Sequence, residues 1–447
     1  MTARRGAASR IGTVKINAGR RPSTDGDSMS VPPTGHRRVR LAATATAALL
    51  ALTVPTAASA ASTAGRPSSP GAVAHPDRAG LDRAALSRTL KAFHDAGMYG
   101  AYSAVRDGTE EWQGAAGVAD VDTGRPATPQ MRHRIGSITK TFTAVAVLQE
   151  VAKGRIALDA PIGRYLPDLV PGQRGRTITV RMLLNHTSGI GEYSPAIFPT
   201  LESIEANRFH QFDPRELARL GLAAKPTGKP GQAHHYANTN FVLAGLLLRK
   251  VTGQSPEAYI TDHVIRKAGL RHTSFPRSPH LTGPHAKMYE AAYGFFQPPR
   301  DFSVYNMSWA GTAGSLVSTM PDLNRFFRAL LGGELLPAAQ LRQMKTTVPI
   351  EGSKMRYGLG LFEMPLPCGK VWGHNGLVPG AMTWSLSTAD GRRQMSLGFN
   401  LTRYQKLNAH GEAQLGPIDT AMDAHLLQAM CGTAGHFRPE AFGDLRR

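Results

Sequence analysis

Ser137-Ile138-Thr139-Lys140 places a serine three residues before a lysine, and no other serine in the chain has this spacing. A serine hydroxyl is a poor nucleophile at its own pKa and needs a base and a site for the oxyanion that its attack creates. Residues i and i+3 share one face of a helix, so Lys140 lies beside Ser137 where a helix begins. Burial disfavours an ammonium and leaves an amine able to take the hydroxyl proton. The helix N-terminus adds N–H groups and a positive dipole that favour developing negative charge. The plain alternative is a capping serine with a solvated lysine. The context speaks against it, because Ile138, Phe142, Val145, Leu148 and Val151 recur at helical spacing up to Gly154. A lysine opening so apolar a helix is not expected to face water.

Two further motifs follow in chain order. Tyr236-Ala237-Asn238 precedes a helix, so its phenol can shuttle protons beside a lysine while Asn238 holds a substrate amide. His374-Asn375-Gly376 lies in or just after a strand, where glycine lets a ligand approach backbone N–H and C=O groups. For each, the alternative is a turn or strand residue with no role. Other chemistries lack their residues: the chain has no Gly-x-Ser-x-Gly elbow, no His-Glu-x-x-His and no phosphate-binding glycine loop. The adjacent His234-His235 is not a metal-ligand spacing, so neither a metal nor a cofactor is expected.

The elements that must position these residues are legible from periodicity. Leu81, Leu86, Leu90 and Phe93 mark a first helix stopping at Gly97, and Asp107-Gly108 turns a hairpin. Phe241, Leu243, Leu246 and Leu247 mark a helix ending at Gly253, and Leu323, Phe326, Phe327 and Leu330 mark another after Pro321. Tyr357–Phe362, Lys370–His374, Met382–Leu386 and Gln394–Asn400 read as successive strands, with Asp390-Gly391 turning the last pair. Ile418, Met422, Leu426 and Leu427 close the chain with an amphipathic helix. Strands at both ends and helices between them imply an α+β architecture. One antiparallel sheet built from the two ends is flanked by helices, with an all-helical subdomain inserted. The catalytic α/β part is then 79–155 with 288–435, and the helical part 156–287.

The first 60 residues read as an address. His36-Arg37-Arg38-Val39-Arg40, the apolar stretch Leu41–Val54 and Ala58-Ser59-Ala60 form a signal peptide cut after Ala60, with Met29 an alternative start. Residues 61–78 are a linker and 436–447 a tail. A secreted protein with no stable membrane anchor follows. Export predicts that the only two cysteines, Cys368 and Cys431, form a disulfide. The net charge is +20; nine basic residues against two acidic ones contribute +7 within the first 60. No dense basic run with interleaved aromatics carries the rest, which argues against nucleic acid and fits a polyanionic envelope better.

The three motifs, with Arg134-Ile135-Gly136, Leu184-Asn185-His186-Thr187-Ser188-Gly189, Ser308-Trp309-Ala310 and both cysteines, resemble the penicillin-recognising serine enzymes. These are D-alanyl-D-alanine peptidases, class C β-lactamases and their esterase relatives, and the likeness is to the secreted carboxypeptidase type over about residues 80–433. The resemblance implies a β-lactamase/transpeptidase-like fold with Ser137 acylated and Lys140 and Tyr236 handling protons. It implies Asn238 on the substrate amide, His374 positioning the third strand, and Trp309 and Phe198 walling the cleft. The oxyanion would be held by the N–H groups of Ser137 and Leu377. The carboxypeptidase pattern also carries two threonines and an arginine for the terminal carboxylate; here those positions read Asn375, Leu377 and, by spacing from Cys368, Met364. The expected activity is a D-Ala-D-Ala carboxypeptidase on peptidoglycan stem peptides, which also takes β-lactams, acting as a monomer. The alternatives are an esterase or amidase that needs no terminal carboxylate, and a non-catalytic envelope-binding protein.

Overall fold

The computed structural model describes residues 80–433. The signal peptide, the linker and the tail read from the sequence lie outside them.

Nine strands form one sheet: β1 (Gly100–Asp107), β2 (Glu110–Asp120), β3 (Arg125–Pro126), β4 (Val348–Pro349), β5 (Arg356–Tyr357), β6 (Phe362–Leu366), β7 (Gly369–Val378), β8 (Ala381–Thr388) and β9 (Arg393–Phe399). Their order is β3-β2-β1-β9-β8-β7-β6-β5-β4, so β1 from one end of the chain pairs with β9 from the other, Ala101 opposite Phe399. The pairs of this sheet are antiparallel, as expected for a sheet joined by hairpins.

Alternation along β1 explains the layers. Ala101 and Val105 face a core shared with α1 (Arg83–Asp95) and α5 (Pro417–Cys431), whereas Tyr102 and Ala104 face the opposite core. That second core holds α2 (Thr139–Ala152), α3 (Asn238–Thr252) and α4 (Met320–Leu331). Phe142 of α2 stacks on Phe326 of α4 with ring centroids 3.6 Å apart. Gly253 ends α3 in the left-handed conformation at φ 71°.

One expected strand is misplaced. Tyr357–Phe362 is not continuous: β5 ends at Tyr357 and β6 begins at Phe362. Between them Gly360, at φ +76°, turns the chain against α2, where any Cβ would press on Ala144 Cβ at 2.6 Å. Docking on α2 thus interrupts the pairing.

Cys368, just before β7, is bonded to Cys431 at the end of α5, with Cα atoms 5.5 Å apart. The bond closes a 63-residue span and ties the last helix to the sheet. Replacing both cysteines by serine should lower unfolding stability by up to about 4 kcal/mol, the chain-entropy value for such a loop. Denaturant unfolding checks this, and an unchanged midpoint would refute it.

Candidate active site

Ser137 sits in a 3-10 turn, Gly136–Ile138, that leads directly into α2. Gly136 makes the turn possible in two ways. Its φ is +50°, and a Cβ there would come 2.8 Å from Leu377 N. From the other side, a Cβ on Gly376 would collide with the Ile135 carbonyl oxygen and approach Ser137 N at 2.8 Å. The two glycines therefore let the turn and β7 touch backbone to backbone. This contact brings Ser137 N and Leu377 N close to one another, as the oxyanion site implied by the resemblance would need.

Lys140 is wholly buried while Ser137 is partly exposed. The lysine Nζ lies 3.0 Å from Ser137 Oγ, 2.7 Å from Asn238 Oδ1 and 2.8 Å from Ala313 O. It also sits over the Tyr236 ring, 4.8 Å from its centroid. Burial pulls the Lys140 pKa down to about 7, against a weaker upward pull from Glu192. Once neutral, the amine keeps two N–H groups and one lone pair. Asn238 Oδ1 and Ala313 O can only accept, so the lone pair is left for the Ser137 hydroxyl.

Asn238, the first residue of α3, is fixed by Glu192, which sequence reasoning missed. Its backbone N–H donates to Glu192 Oε2, and its Nδ2 lies 3.4 Å from Oε1. Oε1 also accepts from the Ser194 N–H at 3.0 Å and its hydroxyl at 2.8 Å. No motif marks Glu192 in the sequence; only the folded chain brings it to Asn238.

Tyr236 is 36% exposed, and its hydroxyl hydrogen-bonds Ser137. Desolvation at the hydroxyl pushes its pKa up, so the phenol stays protonated. The loop carrying Tyr236 is held from behind by His186, buried and at φ 59°. His186 Nδ1 accepts from the Ala237 N–H at 3.2 Å, and the ring packs on Tyr236 at 4.3 Å between centroids.

Asn375, Leu377, Phe198 and Trp309 all line one cleft of about 770 Å³ with Ser137, Tyr236 and Asn238. Phe198 and Trp309 meet edge to face at 5.2 Å. Glu192, His234, His235, Glu351 and Arg403 line it too, and none of these was singled out for the site by the sequence. Gly376 acts through its lack of a side chain.

His374, expected to position the third strand and grouped with the substrate-binding residues, does not line the cleft: it is wholly buried, with Nε2 2.8 Å from the Tyr357 hydroxyl and Nδ1 2.5 Å from Asn375 O. Burial lowers its pKa to about 3, so it stays neutral and braces β7. Met364 is no remnant of a carboxylate site either. It is wholly buried in the core shared with α1 and α5, away from the cleft. Lys370 pairs with Glu363 at 2.9 Å on β6 and does not line the cleft.

The Beta-lactamase family model matches residues 86–402, a span that includes every residue named for this site except Arg403. The chain belongs to that family. Esterase EstB of Burkholderia gladioli is 32% identical over 217 residues, which cover 46% of this chain and 55% of that protein. The putative penicillin-binding protein PbpX of Bacillus subtilis is 26% identical over 327 residues, 72% of this chain and 75% of its own. The chain spans about a third to a half of the length of the first curated relatives it matches. A D-stereospecific amidohydrolase from Streptomyces sp. superposes with a TM-score of 0.70 at 37% identity, covering 79% of this chain and 99% of that one. The β-lactamase/transpeptidase-like fold expected from the motifs is thus the observed one.

Two outcomes follow from this geometry. Hydrolysis of a neutral activated ester such as p-nitrophenyl acetate should rise with pH along one limb centred near pH 7, as Lys140 loses its proton. A limb near pH 4 would contradict it. Gly376→Ala should lower kcat by about 100-fold or more by parting the two oxyanion N–H groups. A folded variant with full activity would refute that assignment.

Proposed function

We propose that this serine hydrolase cleaves amides and esters of D-amino acids through an acyl-enzyme and needs no carboxylate on the residue it releases. The observation that carries this reading is Glu192, a carboxylate placed beside Asn238 in the cleft. A carboxylate there suits the α-ammonium of an amino-acyl group. The likeness at 37% identity to a D-stereospecific amidohydrolase supports the same substrate class.

In this mechanism Ser137 Oγ attacks the carbonyl carbon while neutral Lys140 takes the hydroxyl proton. The N–H groups of Ser137 and Leu377 hold the oxyanion. Tyr236, hydrogen-bonded to Ser137 and packed on Lys140, gives a proton to the departing amine or alkoxide and regains one from the Lys140 ammonium, which returns the amine to its neutral form. Asn238 orients the acyl group, and Phe198 and Trp309 wall its side chain. Water then attacks the ester, Lys140 takes its proton, and the Ser137 oxygen leaves with a proton returned.

The D-Ala-D-Ala carboxypeptidase reading lacks its anion site. Asn375 and Leu377 stand where hydroxyls would bind the terminal carboxylate, and loss of each charge-assisted contact costs roughly 1.5–3 kcal/mol. Diacyl-D-Ala-D-Ala and its C-terminal amide should therefore be cleaved at similar low rates, and a clear preference for the free acid would restore the carboxypeptidase. D-Phe amide should be turned over in preference to both L-Phe amide and N-acetyl-D-Phe amide. Glu192→Gln should reduce kcat/KM on D-Phe amide by about 10-fold or more. Equal rates on the free and acetylated amides would sink the ammonium assignment.

A further inference from the structure

Among the described residues, four non-glycine residues have positive φ, and three of them meet at one place: Ala292 at 47°, Tyr293 at 59° and Arg403 at 46°. The Tyr293 N–H donates to Arg403 O at 2.6 Å, just past the short pairing of Tyr289–Glu290 with Leu401–Thr402. Left-handed backbone is unfavourable for a non-glycine residue, and such strain persists where the surroundings over-determine it, commonly at functional sites. Here it places Arg403 in the lining of the cleft, which Leu377, Val378 and Pro379 share. Among the described residues, Arg403 is the only lysine or arginine lining that cleft.

The arginine is held before any ligand arrives. Its Nη1 donates to Glu290 Oε2 at 2.7 Å, and the Tyr293 side chain supplies a second bond. Glu290 is itself 1% exposed and further fixed by the Thr402 hydroxyl at 2.8 Å and the Ala292 N–H at 2.8 Å. Arg403 nevertheless remains 31% exposed. A guanidinium has five N–H donors in a rigid fork suited to carboxylates. One face serves Glu290, and the side chain's ordering entropy is already spent, which favours capture of an anion at the other.

Resting on the serine hydrolase reading of this cleft, we propose that Arg403 forms a carboxylate subsite. It recognises an anionic group on the substrate within a few residue lengths of the scissile carbonyl. An upper limit on the reach follows from the chain: Gly380, in the turn after β7, is three residue steps from Leu377, at most about 10 Å at about 3.3 Å per residue. The Gly380 N–H lies 3.4 Å from Glu290 Oε2, which in turn lies 2.7 Å from Arg403 Nη1. The carboxylate can belong to the acyl side chain or to the far end of a longer leaving peptide.

Two matched pairs separate these sources. D-Glu and D-Gln p-nitroanilides place the charge on the acyl side, and D-Phe-Gly-Gly and its C-terminal amide place it on the leaving side. The carboxylate member of one pair should be preferred in kcat/KM by about tenfold or more, the size of one charge-assisted contact. The pair that shows the preference names the side. Arg403→Gln combined with Glu290→Gln, which removes both charges together, should bring that ratio near one. Arg403→Lys, which retains the ion pair, should lower it partway and guards against a folding defect. Each compound is also scored as a competitor of p-nitrophenyl acetate hydrolysis. That readout separates the two readings: if the D-aminoacyl reading fails, none of the four is turned over, yet the carboxylate members still compete better than their partners. No preference in either readout for wild type, or a preference that survives in the double variant, overturns the subsite.

Discussion

The catalytic chemistry depends on an amine kept out of water. Lys140 is wholly buried, and burial rather than a neighbouring cation lowers its pKa to about 7. A solvated lysine at this position would stay charged and offer no lone pair. Two carbonyl oxygens, from Asn238 and Ala313, claim the N–H groups of the neutral form and leave its lone pair facing Ser137. Each structural layer around α2 serves that arrangement. The Phe142–Phe326 stack seats the helix on α4, and α3 delivers Asn238.

The same packing explains why the site spans the whole chain. Sheet strands from both ends meet at β1 and β9, which carries β7 into contact with the Ser137 turn. Gly136 and Gly376 are the price of that approach, because side chains at either would part the backbones. His374 and His186 act one layer further out: the first braces β7 through Tyr357, the second holds the Tyr236 loop through Ala237. Both are buried and neutral, since burial disfavours their charged forms.

Ser137, Lys140, Tyr236 and Asn238 were legible in the sequence because each pair is local, and spacing along a helix or loop predicts a shared face. The helices and the β1–β2 and β8–β9 hairpins were legible for the same reason. Glu192 and Arg403 were not. Each is a single charged residue whose place in the cleft depends on a distant partner, Asn238 for one and Glu290 for the other. The Met364 assignment counted residues back from Cys368, but in a strand successive side chains point to opposite faces. Counting alone cannot say which face a position takes, and Met364 faces the core. The break between β5 and β6 was hidden because the docking of Gly360 on α2 is a tertiary contact.

The account turns on whether the Lys140 amine makes Ser137 a nucleophile. A fluorophosphonate tests this directly, because attack by a serine oxygen forms an O–P bond, expels fluoride and leaves a stable adduct. At pH 8 intact mass should show one adduct on wild type, mapped to the peptide containing Ser137, and none on a folded Lys140→Ala variant over the same time. Labelling at another residue, or equal labelling of the Lys140→Ala variant, would contradict it.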